Sequence, residues 1–148
     1  MSIKVEIVTQ ERVLFEGEAD MVIVPGSEGE MGILPHHTPL LSTLSLGQLR
    51  LKTAEGELYF AISGGVVEVQ PDRVTVLADI AERSDEIDIA RAQAARDRAA
   101  EALREGAVDP RTAAALDAAL KRAEVRLKVA RQRSGQIRPG SVSIRSEE

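Results

Sequence analysis

The feature that most constrains this chain is a change of period near residue 82. From Ile3 to about Asp79 apolar and polar residues alternate, with glycine and proline as punctuation. A period of two is the signature of pleated strands with one buried face. After Glu82 the alternation stops, and Ala, Arg, Glu and Asp dominate with no glycine until Gly106. Those are strong helix formers, Asp excepted, so the chain divides into a β part followed by an α part.

Within the β part Ile3, Val5 and Ile7 open the pattern, and further strand candidates lie at 12–15, 19–24, 32–34, 40–46, 48–52, 58–62, 66–69 and 74–77. Short strands at this spacing predict a sandwich or barrel. Pro25-Gly26-Ser27, Glu55-Gly56 and Pro71-Asp72 carry turn chemistry, and Ser63-Gly64-Gly65 offers two residues free to take positive φ. Antiparallel strands joined by hairpins are the expected product. The aromatic residues are only Phe15, Tyr59 and Phe60, so the core is built from Val, Ile and Leu, which suit strands.

The α part reads as two helices. The first is expected over 84–105, capped by Ser84 or Asp85 and ended by Gly106. Asp109-Pro110 restarts a helix that runs to about Gln132. Ala113, Leu116, Leu120, Ala123, Leu127 and Ala130 recur at spacings of three and four, which makes one apolar seam. Ala92, Ala95, Ala99, Ala102 and Leu103 answer it from the first helix. The fold class is thus an N-terminal antiparallel β-sandwich over 1–82, followed by a C-terminal αα-hairpin over 83–133, with a flexible tail over 134–148. Alanine buries little area, at about 25 cal/mol per Å², so the hairpin is expected to be weakly held and mobile.

Several function classes are excluded or disfavoured. A net charge of −5 and few aromatic residues argue against a nucleic-acid binder. The lack of cysteine removes thiolate nucleophiles and Cys-based zinc sites. No apolar run approaches the roughly 20 residues that span a bilayer, and the N-terminus opens as a strand instead of a signal peptide. Membrane association is therefore expected only through a partner. No phosphate loop is present, because Gly64-Gly65 runs into Val66-Val67-Glu68. His36 and His37 are adjacent between two prolines and read as exposed loop residues, not metal ligands. No catalytic residue and no metal site is assigned.

The arginines form the more informative set. Asp88, Arg91 and Arg98 share one stripe of the first helix, and Arg122 and Arg126 share one on the second. Four guanidiniums brought together repel one another unless an anion joins them, and their forks match phosphate oxygens. The same spacing also fits a solvated charged face with local ion pairs such as Asp88 to Arg91, and spacing alone favours that plainer reading.

The run Gly29-Glu30-Met31-Gly32-Ile33-Leu34-Pro35-His36-His37-Thr38-Pro39-Leu40 resembles the epsilon subunits of F-type ATP synthases. The likeness continues through Ser63-Gly64-Gly65-Val66-Val67-Glu68-Val69 and Val74-Thr75-Val76-Leu77-Ala78, and covers about residues 1–133. It implies a non-catalytic rotor subunit whose sandwich rests on the gamma subunit and the membrane c-ring, with segment 28–37, and Glu30 and His37 in it, on that surface. It further implies a hairpin that either folds on the sandwich or extends into the alpha/beta catalytic head and blocks ATP hydrolysis. Arg122, Lys128 and Arg131 are then candidates to meet acidic surfaces there, by charge.

Some bacterial members bind ATP through an Ile/Leu-Asp-x-x-Arg-Ala motif, which Ile87-Asp88-Ile89-Ala90-Arg91-Ala92 fits. The resemblance thereby shifts the arginines toward ATP binding. Arg91, Arg98, Arg122 and Arg126 are placed on phosphates, and Glu82 and Asp88 on the base or as orienters of the arginines. No cofactor is required, and ATP is a regulatory ligand. A stand-alone ATP-sensing module is the alternative. The implied location is the cytoplasmic face of a bacterial membrane, as a peripheral member of the complex.

Overall fold

The computed structural model describes residues 1–106 and 109–133; the expected tail over 134–148 lies outside the described residues. The β part has seven strands: β1 (Ile3–Val8), β2 (Val13–Ala19), β3 (Met21–Gly26), β4 (Gly29–Ile33), β5 (Leu40–Thr53), β6 (Gly56–Gln70) and β7 (Arg73–Arg83). They hydrogen-bond in the order β2-β1-β7-β6-β5-β3-β4. The sheet folds over on itself, and Phe15 of β2 meets Phe60 of β6 edge-on at 6.5 Å between ring centroids. Ile3, Val5, Ile7, Val22, Leu49, Leu51, Val67 and Val74 fill the space between the layers.

Gly64 and Gly65 explain how one sheet makes two layers. In β6 the buried core residues are Leu58, Phe60 and Ile62 before the pair and Val67 and Val69 after it, so the inward parity switches. β5 makes the same switch between Leu44 and Leu49, and β7 between Ala78 and Ala81. Both glycines have positive φ, 78° and 122°, and a Cβ on Gly65 would collide with the Leu77 carbonyl oxygen. Only glycine fits such a kink. The positive φ expected of Ser63-Gly64-Gly65 is present, but as a bend inside a single 15-residue strand and not as a break between two strands. For the same reason the strands expected at 40–46 and 48–52 are one strand, as are those at 58–62 and 66–69.

One pairing departs from the antiparallel expectation: β1 runs parallel to β7, with Val5 opposite Val74 and Ile7 opposite Val76. Hairpin logic fixes direction only for neighbours in sequence, and these two strands are separated by the five others.

The α part has α1 (Ile89–Arg104) and α2 (Pro110–Ala130). The first helix begins five residues later than the expected 84, because Ser84–Glu86 forms a separate 3-10 turn and Ile87 is extended and buried. Glu86 reaches back to accept from the Arg83 backbone N–H at 2.9 Å, which closes that turn. Asp88 is the true cap of α1 and accepts from the Arg91 N–H at 3.1 Å. Gly106, at φ 89°, follows the C-terminus, and Asp109 caps α2 by accepting from the Thr112 N–H at 2.8 Å. All eleven seam positions named above are buried or half-buried.

Candidate functional site

The hairpin lies on the outer face of the sheet, where Tyr59 and Ala61 of β6 project away from the core. Ala61 shares a small apolar cluster with Ile87, Ala92, Leu127, Val129 and Ala130, bordered by Tyr59, Ile89 and Val125. Sequence reasoning missed Val125 and Val129. Their spacing of four on α2 was the available signal, and they form a second apolar edge that turns the helix toward the sheet.

Two of the expected site residues meet directly. Glu82 at the end of β7 accepts from Arg126 Nε at 2.7 Å and from its Nη2 at 3.1 Å. Both side chains are about 30% exposed or less, so this two-pronged bond ties α2 to the sheet. Beside it Leu46, Ser63, Ile80 and Arg122 border a cavity of about 30 Å³. That is space for a water, not a nucleotide. A nucleotide would have to lie on the open side, where Arg91, Arg98 and Arg122 are exposed. Among the described residues no carboxylate forms an ion pair with any of these three. The local Asp88 to Arg91 ion pair is not formed, since Asp88 is engaged with the Arg91 backbone as a helix cap. Ala92 lies in the cluster with Leu127 and Ala130, which brings Arg91 and Arg126 to the same end of the hairpin.

The interface also holds polar atoms that are buried without a hydrogen-bond partner: Gln48 Oε1 and Arg50 Nε on β5. In register they stand opposite Ala61 and Tyr59, on the hairpin side of the sheet. Arg50 Nε is 3.6 Å from Glu57 Oε1, an ion pair without a hydrogen bond. The Tyr59 hydroxyl donates to Glu57 at 3.2 Å, and burial followed by the Glu57 charge pushes its pKa up. Neither Gln48 nor Arg50 carries a sequence signal that would have singled it out.

Glu30 and His37 belong neither to the sheet–hairpin cluster nor to the cavity beside Arg126. Glu30 is exposed on the edge strand β4, opposite Pro25. His36 is exposed with φ 67°, its N–H donating to the Pro71 carbonyl at 2.8 Å. His37, expected to be exposed, is half-buried, with Nδ1 2.7 Å from the Thr38 carbonyl oxygen. Around them Leu34, Leu40 and Leu41 leave apolar side chains in solvent, 54%, 37% and 71% exposed. No group of three or more potential metal ligands occurs among the described residues.

Residues 2–84 match the family described as the ATP synthase delta/epsilon chain β-sandwich domain, and residues 85–131 match its long α-helix domain. The chain belongs to the epsilon-subunit family of F-type ATP synthases. An ATP synthase epsilon chain from Dehalococcoides mccartyi is 52% identical over 131 residues, covering 88% of this chain and 94% of its own length. One from Laribacter hongkongensis is 50% identical, with 84% and 89% covered. A chain of the Euglena gracilis mitochondrial ATP synthase, solved with OSCP, F1 and the c-ring, has the same fold at TM-score 0.65 and 22% identity, over 88% of this chain and 78% of that one. The two-part epsilon fold expected from the sequence is thus the one present, and no helix among the described residues is long and apolar enough to cross a membrane.

Proposed function

We propose that this epsilon chain is a non-catalytic central-stalk subunit whose hairpin acts as an ATP-sensitive restraint on hydrolysis. The observation that carries the reading is the composition of the sheet–hairpin contact. It joins a small alanine-rich cluster, one carboxylate–guanidinium fork and two buried polar atoms without hydrogen bonds to a rim of exposed arginines. A contact of that kind has a small free-energy gap to the undocked state, and a ligand that binds the docked form more tightly shifts it by its differential affinity. ATP phosphates on Arg91, Arg98, Arg122 and Arg126 supply such a ligand, with Glu82 and Asp88 holding Arg126 and the start of α1 in place. Bound ATP keeps the hairpin folded and relieves inhibition. ATP is a regulator and not a substrate.

The sandwich is the fixed part of the same device. Its exposed Leu34, Leu40 and Leu41, with Glu30 and His37 beside them, suit an apolar protein partner, for which the gamma subunit and the c-ring are the proposed candidates. The freed hairpin is proposed to reach the alpha/beta catalytic head. The assembly holds the chain at the cytoplasmic face of a bacterial membrane.

Calorimetric titration of the full chain with ATP tests the reading. Saturable one-site binding, weakened at least about tenfold in Arg91→Ala and Arg122→Ala, supports it, since each arginine–phosphate contact is charge-assisted. Absence of heat at millimolar ATP leaves the arginines as a solvated face and refutes the sensor.

A further inference from the structure

The turn Thr9 to Arg12 joins β1 to β2, closed by the Thr9 N–H donating to the Arg12 carbonyl at 2.9 Å. The Glu11 backbone N–H also donates to Thr9 Oγ1, at 3.2 Å. This turn presents Arg12 toward a residue 74 positions away. Arg12 Nη1 donates to Glu86 Oε2 at 2.6 Å and Nη2 donates to Oε1 at 2.9 Å. Glu86 Oε1 also accepts from the Arg83 N–H. One carboxylate therefore closes the 3-10 turn of the linker and anchors it to the sandwich through a planar fork, the geometry that best resists rotation.

Beyond Glu86 the linker changes character. Ile87 is extended at φ −79° and ψ 125°, and Asp88 at φ −82° and ψ 107°. The Asp88 side chain accepts from the Arg91 N–H and its carbonyl from the Ala92 N–H, both forward in the chain, so its cap belongs to the hairpin and not to the linker. Two rigid pieces thus meet at Ile87–Asp88: a linker clamped to the sandwich, and a helix that carries its own cap. We infer that Arg12 and Glu86 clamp the linker to the sandwich, so that the helical hairpin leaves the sheet by rotation at Ile87–Asp88. The inference rests on the mobile-hairpin reading above. It assigns Arg12 a positioning role that the nucleotide site does not use.

The test is amide hydrogen exchange by NMR on the full chain, with the hairpin deliberately undocked. Val129→Asp places a charge in the buried cluster and releases α2 from the sheet, and the lone tyrosine, Tyr59, reports the release by its fluorescence. In Val129→Asp alone, the Arg83 and Ile87 amides are expected to exchange within about threefold of the parent. Adding Arg12→Ala is expected to speed them about tenfold or more, as losing a charge-assisted anchor would. Arg12→Lys, which keeps a charged donor for Glu86 and leaves the Glu86 bond to the Arg83 N–H in place, is expected to restore part of the protection. If the linker amides already exchange freely in Val129→Asp, the clamp is overturned while hairpin mobility stands. If Tyr59 and the α2 amides do not respond to Val129→Asp, hairpin mobility falls and the pivot falls with it.

Discussion

The two buried regions of this molecule are built by opposite rules. Between the layers of the sandwich every large side chain is apolar, Phe15 meets Phe60, and strands from both ends of the β part interlock. Between sheet and hairpin the buried contacts are three alanines, one leucine, one valine and one isoleucine, with Gln48 Oε1 and Arg50 Nε lacking hydrogen bonds beneath them. Close-packed apolar cores give a single cooperative state, whereas buried polar atoms without partners oppose burial. The contrast teaches that the sandwich is a platform and the hairpin a detachable part, and that the difference is in side-chain chemistry, not in secondary structure.

The largest effect should come from the platform. Phe60→Ala removes a fully buried ring and is expected to cost about 3–5 kcal/mol. Chemical denaturation followed by sheet circular dichroism measures it, and the loss should appear as one global transition. Should the sheet signal persist at unchanged stability, the sandwich is not the cooperative unit claimed for it.

Leu127→Ala is the matched test on the other side. It is expected to cost about 2–4 kcal/mol, but locally: α1 and α2 amides exchange faster while the β1, β6 and β7 amides keep their protection. If it lowers the global unfolding free energy as Phe60→Ala does, the two regions form one unit and the comparison breaks.

How much of this was legible in the sequence follows from the range of the interactions. Period and local chemistry gave the sandwich followed by a hairpin, the Asp109-Pro110 start of α2 and the alanine seam, because these depend on residues a few positions apart. Gly64-Gly65 was legible as a pair free to take positive φ but not as a bend within one strand, since the parity switch that makes it a bend is visible only when three paired strands are compared. The start of α1 was misplaced because Asp88, Asp85 and Ser84 are all good caps, and the choice is made by Glu86 folding back on Arg83. The Arg12 to Glu86 fork joins residues at opposite ends of the β part and leaves no local trace. Among the site residues, the Glu82 and Arg126 assignment came through family resemblance, and the structure adds that they bond to each other. The buried Gln48 and Arg50 were not legible, because an alternating strand marks its outward residues as solvated whether or not a helix later covers them.

A third prediction sharpens the contrast by repairing the weaker interface. Gln48→Leu replaces an unpaired buried acceptor by an apolar group of similar length and is expected to strengthen docking by about 1 kcal/mol. Slower exchange of the α1 and α2 amides measures it, with the sandwich amides unaffected. Faster exchange would mean that Gln48 holds the hairpin through a contact worth more than its burial costs.

The smallest effect is a pH dependence, and its sign discriminates the two regions. Tyr59 sits at the detachable contact, where burial first and the neighbouring Glu57 carboxylate second raise its pKa above the ordinary 10.0, while Arg50 acts weakly the other way. Undocking exposes the ring and removes the burial contribution, so the docked state holds the phenolic proton more tightly than the undocked one. By linkage, docking is at full strength below the ordinary tyrosine range and weakens as pH rises through it toward the raised value. A titration of phenolate absorbance should therefore run at higher pH in the parent chain than in Val129→Asp, in which the hairpin is released. The sandwich core offers no comparable group, since its buried side chains are apolar; amide exchange across that pH range should loosen α2 ahead of β6. Coincident titrations in the two chains would show that the Tyr59 environment belongs to the sheet alone, and that the hairpin does not shield it.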